Sequence, residues 1–442
     1  MHDHRTICER ILRLAGRCPA EVIITSTDSA LTRFAGNVIS QNVSNTATEI
    51  SVRLTDKGRV TRFTLNQPSE TALKMGFSRA LETLRTQKKN PRLMPLSKPV
   101  PVKKTKKLFF PGTAELPPAE RAARAGILIK KCKKAGATAY GTYENGAAAI
   151  TVANTYGVRA FHKESYAIYS VTVRDGNGSG WAESPASDAR EIDFDRVDRT
   201  AMEKALLSRN PRSVKPGRYT VILEPAAAAD LVLFMGIYGF AAQFYQEGQS
   251  FVTGKLGEKV VSEKITIEDN ALDGLSAGMP FDYEGMPRRK VTLIETGVAR
   301  ALVHDRKTAA LAGRTTTGHA LPVPNTYGPI PANLALLKGG SSMEEMIKST
   351  KKGILVTNFH YTNLLKPLTV KMTGMTRDGT FMIENGRVAY PIKNLRFTES
   401  AVEAFNRVEA VGDKPQAYIS WGRVSAPALK IRNFNFSSST EF

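Results

Sequence analysis

Few side chains in this chain are suited to acid–base, nucleophilic or metal chemistry. It has six histidines, His2, His4, His162, His304, His319 and His360. His319 lies in Thr315-Thr316-Thr317-Gly318-His319-Ala320, and His360 in Val356-Thr357-Asn358-Phe359-His360-Tyr361. Both are polar segments at strand ends, where binding residues collect. They read either as one shared site or as hydrogen-bonded structural histidines. Two imidazoles without a third ligand do not make a zinc site. His2-Asp3-His4 falls at a terminus expected to be disordered, so any metal there would be incidental. Cys8, Cys18 and Cys132 are odd in number and scattered, with no CxxC spacing, which reads as ordinary reduced thiols.

Phosphate chemistry leaves no signature. Asp175-Gly176-Asn177-Gly178-Ser179-Gly180 follows a strand, but Trp181-Ala182-Glu183-Ser184-Pro185 opens no helix, so a hairpin turn is expected rather than a dinucleotide loop. GxxxxGK[ST] does not occur.

The elements that must position these residues form an α+β pattern. Residues 1–88 read as helix, β-meander and helix: Ile7 to Leu14, strands out to Leu65 with a turn at Asp56-Lys57-Gly58, then Ser69 to Arg85. Residues 89–112 form a basic, proline-broken linker, expected to be extended and solvated. Residues 113–210 repeat the element order, though not the letters. Residues 211–442 read as one larger β-rich domain with peripheral helices. It begins with the strand Arg218 to Leu223 and the apolar helix Ala226 to Gln243. Turns follow at Thr296-Gly297 and Asn385-Gly386, with S-x-x-E helix starts at Ser342 and Ser400.

Size and composition set the remaining bounds. The chain has 442 residues, 42% hydrophobic and 23% charged, as in a soluble multidomain protein. Charged residues within the first twenty argue against a signal peptide. The longest apolar run, Leu231 to Ala242, is too short to span a bilayer, so a cytoplasmic location is expected. The net charge of +21 raises nucleic acid as a partner. The proline-interrupted basic run cannot form a recognition helix and carries few aromatics for base stacking, so that reading is not favoured.

The C-terminal segment resembles the TldD/PmbA (TldD/TldE) family, described as metallopeptidases and modulators of DNA gyrase. The resembling stretches include Gln246 to Phe251, Gly254 to Lys259, Pro280 to Pro287, Thr317 to Ala320, Pro324 to Gly328 and Gly374 to Gly386. In the family's catalytic branch a helix carries HExxxH and a later cysteine completes the zinc site. Position by position, the two histidines fall on Leu233 and Tyr238 and the glutamate on Phe234. No cysteine follows Cys132. The resemblance is therefore to the non-catalytic TldE/PmbA branch, with no metal or catalytic residue in this chain. It implies a zinc-bearing TldD-like partner, or a homodimer, acting on extended peptides. His319, Asn325, Tyr327, Asn358 and His360 are the candidate peptide-binding residues. A stand-alone peptide-binding module and a DNA- or gyrase-associated modulator are the alternatives.

Overall fold

The computed structural model describes residues 3–440, and His2 lies outside them. The fold is α+β, with sheets dominating. The N-terminal half contains α1 (His4–Ala15), β1 (Ala20–Ala35), β2 (Val38–Asp56), β3 (Arg59–Leu65) and α2 (Glu70–Thr86). After the linker come a short α3 (Pro111–Ala114), α4 (Pro118–Lys134), β4 (Thr138–Asn154), β5 (Arg159–Asp175), β6 (Gly178–Ala186) and α5 (Phe194–Leu207). The two helix–meander–helix units share a single sheet of order β3-β2-β1-β4-β5-β6. Their first strands pair antiparallel at its centre, from Glu21↔Asn154 to Phe34↔Gly141. Apolar cores form where helices cover this sheet. One gathers Ile7, Ile11, Val22, Ile50 and Phe77; the other gathers Leu128, Tyr169, Val197 and Ala201.

Two sequence expectations are corrected here. His4 does not sit in a disordered tail. Asp3 caps α1 by accepting from the Arg5 and Thr6 amides, which draws His4 into the fold. Its ring is buried, 2.9 Å from Thr151 Oγ1 and 2.8 Å from Ser26 Oγ. The basic linker is extended but only partly solvated. Leu96, Ser97 and Leu108 are buried, and Ser97 Oγ donates to the Glu284 carbonyl at 2.5 Å. The Lys106 amide donates to the Leu272 carbonyl and Thr105 Oγ1 to that of Ala271. The segment straps the N-terminal half to the C-terminal one, with its lysines turned outward.

The C-terminal half runs β7 (Gly217–Leu223), α6 (Pro225–Phe240), α7 (Ala242–Gln246), β8 (Ile267–Asp269), β9 (Val291–Glu295), β10 (Val298–Ala299), α8 (Arg306–Leu311) and β11 (Asn333–Leu336). Then follow α9 (Met343–Lys348), β12 (Lys352–Lys366), β13 (Lys371–Glu384), β14 (Arg387–Pro391), β15 (Leu395–Ser400), α10 (Ala401–Asn406), β16 (Val408–Val411), β17 (Gln416–Ile419), β18 (Arg423–Ala426) and β19 (Leu429–Ser439). β12, β7, β19, β15 and β13 pair in sequence, and β12 also pairs with β13, closing a five-stranded barrel. A second sheet has the order β10-β9-β8-β11-β18-β17.

α6 packs between the barrel and this second sheet. Pro225 at its first position suits a helix start, and Leu231, Val232, Met235 and Phe240 are fully buried. Each such side chain contributes about 1.5–3 kcal/mol. Gly236 permits the close approach: a Cβ there would lie 2.5 Å from Leu334 Cδ1 of β11.

Candidate functional site

One face of α6 lies at the edge of this core. Asp230, Leu233, Phe234 and Tyr238 look into a cleft of about 420 Å³, walled opposite by β12 from Phe359 to Leu364 and by Ser420-Trp421 between β17 and β18. β12 is irregular at this wall. Its pairing with β13 shifts register twice between Val356 and Asn363, and Tyr361 adopts a left-handed φ of 58°. Tyr361 and Trp421 consequently stand at the rim, 76% and 75% exposed. Phe359 anchors the wall, stacked on Phe434 at 6.0 Å and against Phe397 at 4.4 Å. β7 pairs with β12 only over Gly353–Val356. Beyond Val356, that edge of β12 has no strand partner among the described residues.

Three rings run along the α6 side. Phe234 stacks on Tyr238 at 6.0 Å, and Tyr238 stacks on Phe244 of α7 at 5.6 Å. Burial raises the Tyr238 phenol, and the nearby Tyr327 phenol raises it further. Asp230 is the one acid on this helix. Its Oδ2 accepts from Thr362 Oγ1 of β12 at 2.8 Å, and burial pushes its carboxyl up to about 6.

The cleft continues past Asp230 into a recess of about 180 Å³ lined by Trp181, Glu183, Asn358 and Tyr418. Trp181 and Tyr418 stack at 6.5 Å across the junction of the two halves. Asn358 Oδ1 is buried there and accepts no hydrogen bond. Glu183 is raised by burial, with a Ser170 hydrogen bond opposing and Glu144 adding to the rise.

The residues anticipated from sequence divide. Leu233, Phe234, Tyr238 and His360 line the cleft, and Asn358 lines the recess. His360 also borders a polar cavity of about 690 Å³ with Arg174, Ser179 and Arg377. Desolvation lowers its imidazole, and Arg377 lowers it further. Asn325 shapes a turn by accepting from the Gly328 amide at 2.7 Å, which leaves Tyr327 half exposed close to Tyr238. His319 is the correction. It has no exposed surface, with Nε2 2.8 Å from Asp269 Oδ1 and Nδ1 2.9 Å from Thr317 Oγ1. Its loop folds inward because Asp282 Oδ2 accepts the Ala320 amide and the His304 carbonyl accepts that of His319. Asp230, Glu183, Trp181 and Trp421 were missed. For Asp230 the available signal was a lone carboxylate on an otherwise apolar helix.

The family model described as the PmbA/TldA metallopeptidase C-terminal domain matches residues 216–438, and that of the central domain matches 113–209. The chain belongs to the PmbA/TldD family. A metalloprotease TldD homolog of Buchnera aphidicola is 28% identical over 228 residues, 51% of this chain and 47% of that protein. The metalloprotease PmbA of Escherichia coli O157:H7 is 25% identical over 345 residues, 73% of this chain and 72% of its own. In fold the chain matches the crystal structure of TldE from Thermococcus kodakarensis. The TM-score is 0.86 at 19% identity, covering 98% of this chain and 99% of that one. The chain spans about half the length of the first curated relatives it matches.

These names imply zinc, and the cleft can be tested for it. Leu233 and Phe234 offer no lone pair. The Tyr238 phenol is shifted away from ionisation. Among the described residues no three His, Cys, Asp or Glu side chains converge as a metal site. The donor set at the cleft does not fit zinc.

Proposed function

We propose that this chain is a non-catalytic, TldE/PmbA-like subunit of a TldD/TldE-type metallopeptidase that matures or degrades extended peptides. In this reading a TldD-like partner carries the zinc, and both chains are cytoplasmic. The supporting observation is the α6 face, where Leu233, Phe234 and Tyr238 present an aromatic and aliphatic surface at the three family positions of the metal site. Such a surface can pack against an unfolded chain but cannot activate water. The open edge of β12 adds to this, because an extended peptide laid there gains main-chain hydrogen bonds with little regard to sequence. The companion expectation is that Tyr327, Asn358 and His360 contact that peptide while Asn325 holds the Tyr327 turn.

The test is reconstitution. The tagged chain is produced alone and together with an HExxxH homologue from the same genome, and peptidase activity, zinc content and stoichiometry are measured. The reading requires no hydrolysis by the chain alone, co-purification of the pair, and activity that depends on both chains with about one zinc per pair. A zinc-free homodimer that ignores the homologue would overturn it and favour a stand-alone peptide-binding module.

A further inference from the structure

The polar cavity that borders His360 is rich in hydrogen-bond donors and poor in free acceptors. It lies where the β5–β6 hairpin of the N-terminal half meets β13 of the barrel, and its volume is about 690 Å³. The hairpin contributes Arg174, Asn177 and Ser179, β13 contributes Arg377 and Asp378, and β12 contributes His360. A bulge shapes the β13 side. Val356 pairs with Thr380 and Asn358 with Arg377, so Asp378 and Gly379 together oppose Thr357. Asp378 takes a left-handed φ of 53°, and its Oδ1 accepts from Ser179 Oγ of the hairpin.

The charges in this cavity do not cancel. Asp378 is the one acid in the lining, and Ser179 already holds it. Arg377 Nε stands 3.7 Å from Asp378 Oδ2, an ion pair too long for a hydrogen bond. Arg174 has neither an ion pair nor a side-chain hydrogen bond among the described residues, and its neighbour Asp175 is paired with Arg209. The His360 ring, the Tyr140 hydroxyl and the Thr172 hydroxyl also lack a hydrogen-bond partner among the described residues. Asn177 spends its Oδ1 on the Asn210 amide, which leaves its NH₂ group unused.

Two guanidiniums facing one acid leave a positive excess in a recess that screens it less than open water does. A carboxylate removes that excess and accepts from several of these donors at once, and the planar guanidinium fork suits it in a bidentate manner. An ammonium group would add to the repulsion, and a neutral group would leave it in place. His360 lines both this cavity and the α6–β12 cleft, so the two adjoin at one side chain. The net charge of +21 acts in the same direction, drawing anionic peptides toward the protein.

We propose that this cavity receives a carboxylate of the extended peptide, its C-terminus or an acidic side chain, clamped by Arg174 and Arg377 with His360, Asn177 and Tyr140 as further donors. The inference rests on the peptide-binding reading above and adds a sequence preference to it.

The test uses the full chain, with its partner where one co-purifies, and fluorescent ten-residue peptides of glycine, alanine and serine. One form ends in an amide, a second in a free carboxylate, and a third is amidated with a central glutamate; affinity is read by anisotropy at pH 8. At least one acidic form is expected to bind about tenfold more tightly than the neutral amide, the scale of a charge-assisted hydrogen bond. Which form gains identifies the source of the carboxylate. Arg174→Gln combined with Arg377→Gln is expected to reduce the gap to about twofold. Lys88→Gln combined with Lys89→Gln removes the same charge from exposed linker positions and is expected to leave the gap near tenfold. Both arginines are exposed, so the melting temperature of their double variant should match the wild type. The single arginine variants, each expected to give an intermediate gap, replace it if it melts early. Equal affinity for all three peptides overturns the carboxylate cavity and leaves the peptide-binding reading standing. Absence of binding by any peptide overturns both. A preference that survives in the arginine variant, or that the lysine variant abolishes equally, also overturns the assignment.

Discussion

Asp230 links the geometry of the cleft to a measurable stability. Its carboxyl rises from an ordinary 3.8 to about 6 because burial between α6 and β12 penalises the charged form, while the Thr362 hydrogen bond opposes only part of that. A raised acid binds its proton more tightly in the folded state than in the unfolded one. The favourable contribution is therefore complete below pH 3.8 and is lost as pH rises through about 6. At 1.36 kcal/mol per pH unit, the displacement corresponds to about 3 kcal/mol; partial solvent access at the cleft lowers the expectation to about 1–3 kcal/mol. Asp230→Asn removes the ionisation and keeps an oxygen for Thr362 Oγ1. The variant should match the wild type near pH 4 and exceed it at pH 8. The excess corresponds to about 2–10 °C in the melting temperature of the C-terminal half. Thermal unfolding of both proteins from pH 4 to 8 isolates the effect, because titrations common to both cancel in the difference. The reasoning fails if the variant is less stable at pH 8, or if the difference does not change with pH.

Four further outcomes follow from the packing. His319→Ala removes the partner of Asp269 Oδ1 in a fully buried pair and should cost about 3–5 kcal/mol in urea unfolding. Peptide affinity of the protein that remains folded should stay unchanged, and a selective loss of affinity would return His319 to the site. The same pair has a pH signature. Burial pulls Asp269 up, but His319 and Arg288 outweigh it and hold the carboxyl below its ordinary value, so its contribution disappears on acidification below the usual carboxylate range. Gly236→Ala would drive a methyl into Leu334 and should destabilise by about 1–3 kcal/mol; a neutral result would mean α6 can slide on β11. Burial pushes the Cys8 thiol up to about 12 and the Cys132 thiol to about 11. Iodoacetamide at pH 8 should spare both in the native protein and modify both in guanidinium, as read by peptide mass mapping.

What could be read from the sequence was local. Asp56-Lys57-Gly58 and Asn385-Gly386 carry the turns anticipated for them, since Lys57, Gly58, Asn385 and Gly386 all have positive φ. The hairpin expected from Asp175 to Gly180 joins β5 to β6 through Asp175↔Gly178. The S-x-x-E start at Ser342 is a reciprocal capping box with Glu345. Long-range pairing was not legible. Residues such as Ser26, Asp28 and Ser29 look like loop, yet they lie mid-strand in β1, with β2 on one side and β4 on the other. Two flanking strands satisfy that backbone whatever the side-chain polarity. Barrel closure through β12 and β13 depends on register between segments that carry no individual mark.

The site divides along the same line. Leu233, Phe234 and Tyr238 were identified through the resemblance, as the positions of the family's HExxxH, and the helix that carries them brings all three to one cleft. His319 and His360 occupy similar polar sequences but meet opposite fates. The bulged, partly unpaired strand holds His360 at a cavity wall, whereas Asp269, fifty positions earlier in the chain, draws His319 into the interior. No local pattern distinguishes the two, because the deciding partner is distant in sequence. Asp230 was missed although its sequence carried a signal. A lone acid amid Ala226 to Phe240 must either find a partner or face solvent, and here it does part of each. That residual exposure is why the acid stands at the wall of a cleft rather than in a buried pair.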